Sequence, residues 1–486
     1  PVWTGGRNVH FDDRSTHRCG GYGTFASPLP ADTVPIFLQN VLTPQTAYWI
    51  WVGESTVDQS KKIYVTDGTS HFDITPAAGV SANAVAGEWT GTLLNNIPVL
   101  NNRFDVPVWW DGNTGNIMAP LPDWDATWRC RSIRAFKYHL VALNMTENSV
   151  DFPEKLRWSA SADPGTIPQS WTPLAENDAG DNILAEELGG IVDGLPLHGA
   201  FCIYRAHSMA LMSYVGGQFV FQFREVFPTQ GVQHLNCVVE CRGKHYVFAD
   251  DDVIIHDGNS LTSIIDQRNR NLLFQSFNED NRQLCQVAGR TSTDELWFIV
   301  PAADSTYQRL ALVYSITEDT WGIRDLPDTA YVGTGIVPNE APDPTWDGSP
   351  YGSWENDPRW WNQSNYSISN DELLMAAPID ARIYHVDELH TNAGDPVEAF
   401  VERAYLTLGN DQDIGGGAGR VTMGNAPGDQ AGVWSTHLVR SVYPRITGTE
   451  GDQIQVRIGA TERMSQPITW ATPQTFTIGQ ANKIDS

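Results

Sequence analysis

The chain has 486 residues, with 58 acidic against 31 basic side chains and a formal net charge of -27. That length allows two or three domains, and a hydrophobic content of 41% supplies a sizeable core and excludes global disorder. No stretch approaches the ~18 consecutive apolar residues of a membrane helix, and no Lys/Arg block of the kind that grips DNA phosphates is present.

The acidity reads in two ways: as a solubility device, or as the wall of a passage along which DNA slides without being held. Residues 1–6 have neither the basic nor the apolar region of a secretory leader, and a start at Pro1 fits removal of an initiator Met. Cys19, Cys130, Cys202, Cys237, Cys241 and Cys285 form no CxxC pair. They are expected to be buried free thiols in a protein made in a reducing cytoplasm.

With 42 Gly, 29 Pro and 18 Trp, the sequence predicts many short strands joined by turns. In chain order, strands are predicted at 48–52, 62–66 and 106–110. A first group follows at 132–136, 138–143 and 154–159, ending at Trp171. A short helix is predicted at 182–191, stopped by Gly189-Gly190. The next group takes 235–240, 245–249, 253–256 and 261–264, and another takes 283–288, 295–300, 309–315 and 320–324. Three or four strands in roughly 35–50 residues is the size of a propeller blade. Asp67-Gly68, Asp111-Gly112 and Asp257-Gly258 each end a strand, as hairpin turns do, because Gly takes positive φ cheaply.

The fold expectation is therefore all-β: a six- or seven-bladed β-propeller with a C-terminal β-sandwich-like domain. Its parts are an N-terminal segment 1–34, a propeller 35–337 with closing strands near 371–390, and a Trp-rich loop or insertion 338–370 holding Trp346, Trp354, Trp360 and Trp361. A C-terminal β domain spans 391–486, with alternation at 397–408, a glycine-rich loop at 415–419, and strands at 436–443, 453–458 and 473–478.

Several stretches resemble the β-propeller nozzle, or tail-stabilisation, proteins of short-tailed phages. The opening Trp3-Thr4-Gly5-Gly6-Arg7-Asn8-Val9-His10-Phe11-Asp12-Asp13 is similar to that family's start, and Gly20-Gly21-Tyr22 continues it. Leu156-Arg157-Trp158-Ser159, Asp163-Pro164, Trp171-Thr172-Pro173, Gly216-Gly217-Gln218-Phe219-Val220-Phe221 and Tyr246-Val247-Phe248 carry the likeness through the middle. Pro444-Arg445-Ile446-Thr447-Gly448 and Val456-Arg457-Ile458-Gly459 resemble its C-terminal β domain. The opening departs from the pattern in having Asp12-Asp13-Arg14 where an Asp-Gly turn is usual.

The resemblance implies a virion structural protein of the phage tail, assembled in the bacterial host cytoplasm. Such subunits form a ring, commonly a homohexamer, at the head–tail connector below the portal and its adaptor protein. The ring contacts tail fibre or spike proteins and encloses the channel through which genomic DNA passes without sequence-specific binding. No catalytic, cofactor-binding or metal residue follows from it, nor any stable membrane insertion, and the channel-lining residues stay unassigned.

Two rivals stand beside this reading. Ser161-Ala162-Asp163-Pro164-Gly165 with Trp171 resembles the Asp-box turn of sialidase-type propellers, a glycosidase class, but occurs as one approximate copy. G-x-S-x-G, P-loop and H-E-x-x-H motifs are missing from the sequence. Clustered carboxylates at Asp250-Asp251-Asp252 and at Asp411 with Asp413 raise Ca²⁺ binding against plain solvated turns, without completing a calcium loop. His245 and His256 on predicted strands read as satisfied or exposed histidines. The second rival is a receptor-binding or adhesin module that uses the Trp-rich loop to stack on sugars or anchor a partner.

Overall fold

Short runs of β-branched and aromatic residues, punctuated by Asp-Gly and Asn-rich turns, build six successive four-stranded antiparallel sheets, at 33–73, 90–120, 129–183, 191–227, 238–263 and 286–329. The computed structural model describes residues 5–11, 15–44, 46–184, 189–217, 219–275, 277–338, 371–403, 441–460, 468–479 and 484–485. A seventh sheet combines Tyr331–Ile336, Asp371–Ala377 and Arg382–Val386 with Tyr22–Phe25 from the N-terminal region. First strands of successive blades lie side by side around one axis, and Gln39 of blade 1 closes on Gly91 of blade 2. The architecture is a seven-bladed β-propeller.

Sheets that diverge from an axis leave gaps that widen outward, so bulky side chains fill them. The apolar core is correspondingly a ring of interblade clusters. Ile50, Trp89 and Trp110 lie between blades 1 and 2, and Leu94, Leu140 and Trp171 between 2 and 3. Phe136, Leu156 and Phe201 join 3 to 4, while Tyr204, Val247 and Phe298 run through 4, 5 and 6. Trp297 and Leu373 join 6 to 7, and Trp49, Leu374 and Phe25 join 7 to 1. Burial of each such side chain contributes about 1.5–3 kcal/mol. The indoles also tie loops down: Trp49 donates to the Ile336 carbonyl at 3.0 Å, Trp89 to Ala84 at 3.0 Å and Trp158 to Asp178 at 2.8 Å.

The three Asp-Gly pairs share one geometry. Gly68, Gly112 and Gly258 sit at φ +93°, +86° and +88°. Each Asp side chain accepts the amide two residues on, at 2.9, 3.0 and 2.9 Å. All three join the third and fourth strands of their blades.

Elsewhere the structure departs from expectation. Of the predicted helix 182–191, residues 182–183 and 191 belong instead to the strands Gly180–Ile183 and Ile191–Leu197, and residues 185–188 lie outside the described residues. The long helix lies instead at Gln267–Gln275, where Asp266 accepts from the amides of Arg268 and Asn269, both at 2.9 Å, and Leu273 is buried. Trp171 stands in a loop, packed against Trp124 with ring centroids 4.7 Å apart; the fourth strand of blade 3 is Gly180–Ile183.

The segment 1–34 is not set apart from the propeller. Beyond the strand Tyr22–Phe25, Gly5–Arg7 pairs with Phe400–Glu402, and Asn8 donates to Asp325 and to the Glu398 carbonyl at 3.0 and 2.7 Å. By contacts the chain divides into Trp3–Glu402 and a second unit made mainly of Arg403–Ser486, so 391–402 belong with the propeller. In the second unit the described residues form three antiparallel two-stranded ladders: Ser441–Val442 with Ile484–Asp485, Gln453–Val456 with Gln474–Thr477, and Gly459–Ala460 with Thr469–Trp470. Nearly all of the Trp-rich segment 338–370, and the glycine-rich loop 415–419, lie outside the described residues.

Phe25 anchors the closing strand in the cluster of Trp49, Leu374 and Ile383. Phe25→Ala is expected to lower the unfolding free energy by about 3–5 kcal/mol, read as a reduced urea midpoint. An unchanged midpoint would show that strand not to close the ring.

Candidate functional site

The axis is where a propeller usually offers room, and here polar side chains fill it. Arg134, on the first strand of blade 3, grips Asp193 on the first strand of blade 4 in a two-pronged pair, Nε to Oδ1 at 2.8 Å and NH2 to Oδ2 at 2.6 Å. Asp193 also accepts from the amides of Gly194 at 2.9 Å and Asn236 at 3.1 Å. Burial alone would raise its pKa, but the guanidinium beside it and these donors hold the carboxyl below the ordinary range. Arg134 donates further to the Gly91 carbonyl at 3.0 Å and to the Asn236 side chain at 2.9 Å.

Asn236 is the hub of this plug. Its backbone is left-handed at φ +58°, which Asn tolerates better than most residues. Its amide side chain reaches the Trp89 carbonyl at 3.0 Å, and its own carbonyl receives Val287 N–H at 2.9 Å. Other amides lace neighbouring blades in the same way. Asn40 reaches the Ile336 carbonyl at 3.0 Å, Asn101 that of Cys130 at 3.0 Å and Asn144 that of Ile191 at 2.8 Å. Gln286 accepts Val332 N–H at 3.0 Å. A cavity of about 10 Å³ beside Asn236 is lined by Gly87, Gln286 and Tyr331 among others, room for about one water.

A second buried constellation joins blades 4 and 5. Gly258 N–H donates to His256 Nδ1 at 3.2 Å, and the Tyr204 hydroxyl lies 2.7 Å from His256 Nε2 and 2.6 Å from His245 Nδ1. His245 Nε2 meets the Pro196 carbonyl at 2.9 Å. These partners fix both tautomers: His256 donates to Tyr204, Tyr204 to His245, and His245 to Pro196. Both imidazoles are neutral, burial lowering His245 to about 4 and His256 to about 3. Every polar atom is used within the chain, so the arrangement cements two blades and leaves no group free for catalysis.

The remaining sequence-marked residues disperse. Asp163 and Thr166 form a turn whose carbonyls accept from Asn95 at 3.1 and 2.9 Å, and Gly165 there has φ +77°. Asp250 pairs with Arg282 at 3.0 Å and Asp252 with Arg270 at 2.7 Å. Among the described residues no group of three or more His, Cys, Asp or Glu is placed to hold a metal; Asp411 and Asp413 lie outside them. All six cysteines are buried free thiols. On blade 2 an open groove of about 300 Å³ is lined by Trp109, Asp111, Asn116, Ile117 and Ala119. Sequence reading missed the axial plug, although Asp193 is a lone charge in an otherwise apolar strand, Ile191–Leu197.

The strand ladders define a seven-bladed β-propeller protein. No family model matches the sequence, and no curated protein matches it. Among solved structures, the AfRom2 CNH domain is 7% identical, covering 76% of this chain and 96% of its own, with a TM-score of 0.37. The WD40 β-propeller domain of Doa1 is 8% identical over 76% and 97%, at 0.38. The β-propeller domain of the Trilobed protease from Pyrococcus furiosus is 8% identical over 80% and 99%, at 0.34. Likenesses of this degree carry no functional argument.

Two outcomes follow from these contacts. Arg134→Met leaves the Asp193 carboxylate buried without its cation and is expected to cost about 3–5 kcal/mol, with partial recovery in Arg134→Met/Asp193→Leu; urea unfolding checks both. For the histidines, folded pKa values lie below the ordinary 6.5. The unfolded chain therefore binds more protons as pH falls from 6.5 toward 4 and then 3, and stability drains over that window. The fall should be shallower in His256→Gln, and an identical pH slope would refute the buried neutral pair.

Proposed function

We propose that this chain is a structural subunit of a short-tailed phage tail. In this reading several copies, most simply six, form the nozzle ring around the DNA exit channel below the portal and adaptor. The observation that carries the reading is the filled propeller axis. Among the described residues an ion pair and interblade amides cross the axis, which favours the outer surfaces as the working ones. A rigid, closed ring of sheets suits a part that bears load.

The charge supports the same reading. A subunit with a net charge of -27 repels phosphates, so a channel walled by several copies lets DNA slide. Because the propeller's own axis is closed, that channel is enclosed between copies and not within one. Outer surfaces then meet the adaptor and the fibres or spikes, and the protein resides in the virion. The resemblance of the opening and C-terminal segments to nozzle proteins favours this assignment over other uses of a propeller.

A receptor-binding module is the second reading, favoured by the blade 2 groove, where Trp109 beside Asp111 and Asn116 presents the apolar face and polar edge that sugars require. Cryo-electron microscopy of particles from the source lysate separates the two. A rotationally symmetric ring around the tail channel is expected, with Asp163→Ala particles as infectious as wild type. Density confined to peripheral fibres would select the adhesin, and absence from particles would defeat both.

A further inference from the structure

The outer hairpin of blade 2 divides its side chains between two environments. Trp110 and Met118 are buried in the cluster between blades 1 and 2. Trp109 and Ala119, which face each other across strands Val108–Trp109 and Ala119–Pro120, line the open groove of about 300 Å³ instead, with Asp111, Asn116 and Ile117. Ala119 is too short to cover its partner, so the indole keeps surface in the groove. Trp109 is also held from behind, packed against the cluster that contains Leu94 and Trp171. Ile117 is 52% exposed and adds a second apolar wall.

The loop that carries the polar groups is fixed by its own bonds. Trp110 Nε1 and Asn116 N–H both donate to the Asn113 carbonyl at 3.0 Å, and Met118 N–H donates to the Ile74 carbonyl at 2.9 Å. Asp111 accepts Asn113 N–H on Oδ1 at 3.0 Å and the Asn116 side-chain amide on Oδ2 at 2.6 Å. A carboxylate has about four lone-pair sites, so each Asp111 oxygen keeps one to offer. Asn116 keeps its side-chain oxygen and one N–H. Both residues are exposed, which leaves these spare groups accessible to a ligand.

An aromatic wall beside a rigid carboxylate–amide pair matches a sugar ring, whose C–H groups lie against an indole while its hydroxyls donate to a carboxylate. A volume of about 300 Å³ is at the low end for small-molecule clefts and suits one or two pyranose rings. The sign of the charge narrows the class. Among the described residues no Lys, Arg or His lines the groove, so the carboxylate of an acidic sugar would meet Asp111 without a cation between them. We propose that this groove binds a neutral pyranose and refuses acidic ones, with Trp109 stacking on the ring and the Asp111–Asn116 pair reading adjacent hydroxyls. The specificity rests on the receptor-binding reading of this groove and is independent of whether the chain sits in a ring or on a fibre.

Saturation-transfer NMR on the full chain at neutral pH tests this with matched probes: methyl β-glucoside against methyl β-glucuronide, and methyl β-galactoside against methyl β-galacturonide. Within each pair only the exocyclic carbon differs, a CH₂OH becoming a carboxylate. The expected result is transfer to the ring C–H protons of at least one neutral glycoside, with a Kd on the order of 1 mM. Its uronide should be weaker by at least about tenfold. Trp109→Leu, which keeps an apolar side chain in the packing, should lose the transfer. Asp111→Asn keeps an acceptor for Asn113 N–H, so its melting temperature should be unchanged. That variant should weaken the neutral glycoside at least about fivefold and bring the uronide within about twofold of it. Equal binding of a uronide by the unaltered chain would overturn the neutral class and leave a sugar groove standing. Transfer to none of the four probes would overturn the class and the receptor-binding reading of the groove together. Full affinity in both variants would put the sugar elsewhere on the chain and equally overturn the proposal.

Discussion

The seventh blade cannot exist until the two ends of the propeller meet. Its first three strands come from 331–386, and its fourth, Tyr22–Phe25, comes from the other end of the domain, paired antiparallel to Arg382–Val386. The cluster between blades 7 and 1 depends on that closure, because an open ring leaves that gap to water and exposes Trp49 and Leu374. The closing contact spans some 360 positions of sequence, so its loop-closure entropy is large and its formation is expected late in folding. Bonds from Asn8 to Asp325 and from Arg324 to the Gly20 carbonyl at 2.9 Å hold the flanks of the strand in place.

At the axis the constraint is reversed. Inner strands converge so tightly that large apolar side chains have no room, while their backbones still present groups needing partners. Small amides and one fork-shaped ion pair meet both conditions. The buried charges of Arg134 and Asp193 gain little net stability over an apolar pair of equal shape. What they supply is register, because each oxygen and each N–H has one matching position on a neighbouring blade. The Tyr204, His245 and His256 chain applies the same logic farther out, with neutral groups whose donor and acceptor roles are fixed from both ends.

How much of this was legible depends on how local the signal is. The Asp67, Asp111 and Asp257 turns were readable because an Asx turn and a positive φ at the following Gly are decided within four residues. Blade 5 was readable strand by strand, since its hairpins are short. The helix at Gln267–Gln275 was locally signalled by Asp266 as its cap, yet Gly189-Gly190 drew the helical assignment to a segment whose two ends, 182–183 and 191, are paired in strands. The role of Tyr22–Phe25 was invisible, because nothing in those four residues names a partner some 360 positions away. The axial plug lay between these extremes: the lone charge of Asp193 in its apolar strand was visible, but its pairing with Arg134 across blades is a property of the ring.

A plugged axis changes what acidity means for the function proposed. Were the propeller itself the conduit, its inner wall would have to be open and negatively charged, and the inner wall is instead closed by a neutralised pair. The excess carboxylates are therefore left to outer surfaces, where a single copy gains only solubility from them. Arranged around a shared axis, several copies convert the same charges into a repulsive wall whose field grows with each subunit added, though less than proportionally at physiological ionic strength. Like-charged copies also repel one another, so a ring of them needs a template or apolar contacts to assemble. That requirement agrees with a subunit that stays single until a neighbouring part of the particle recruits it.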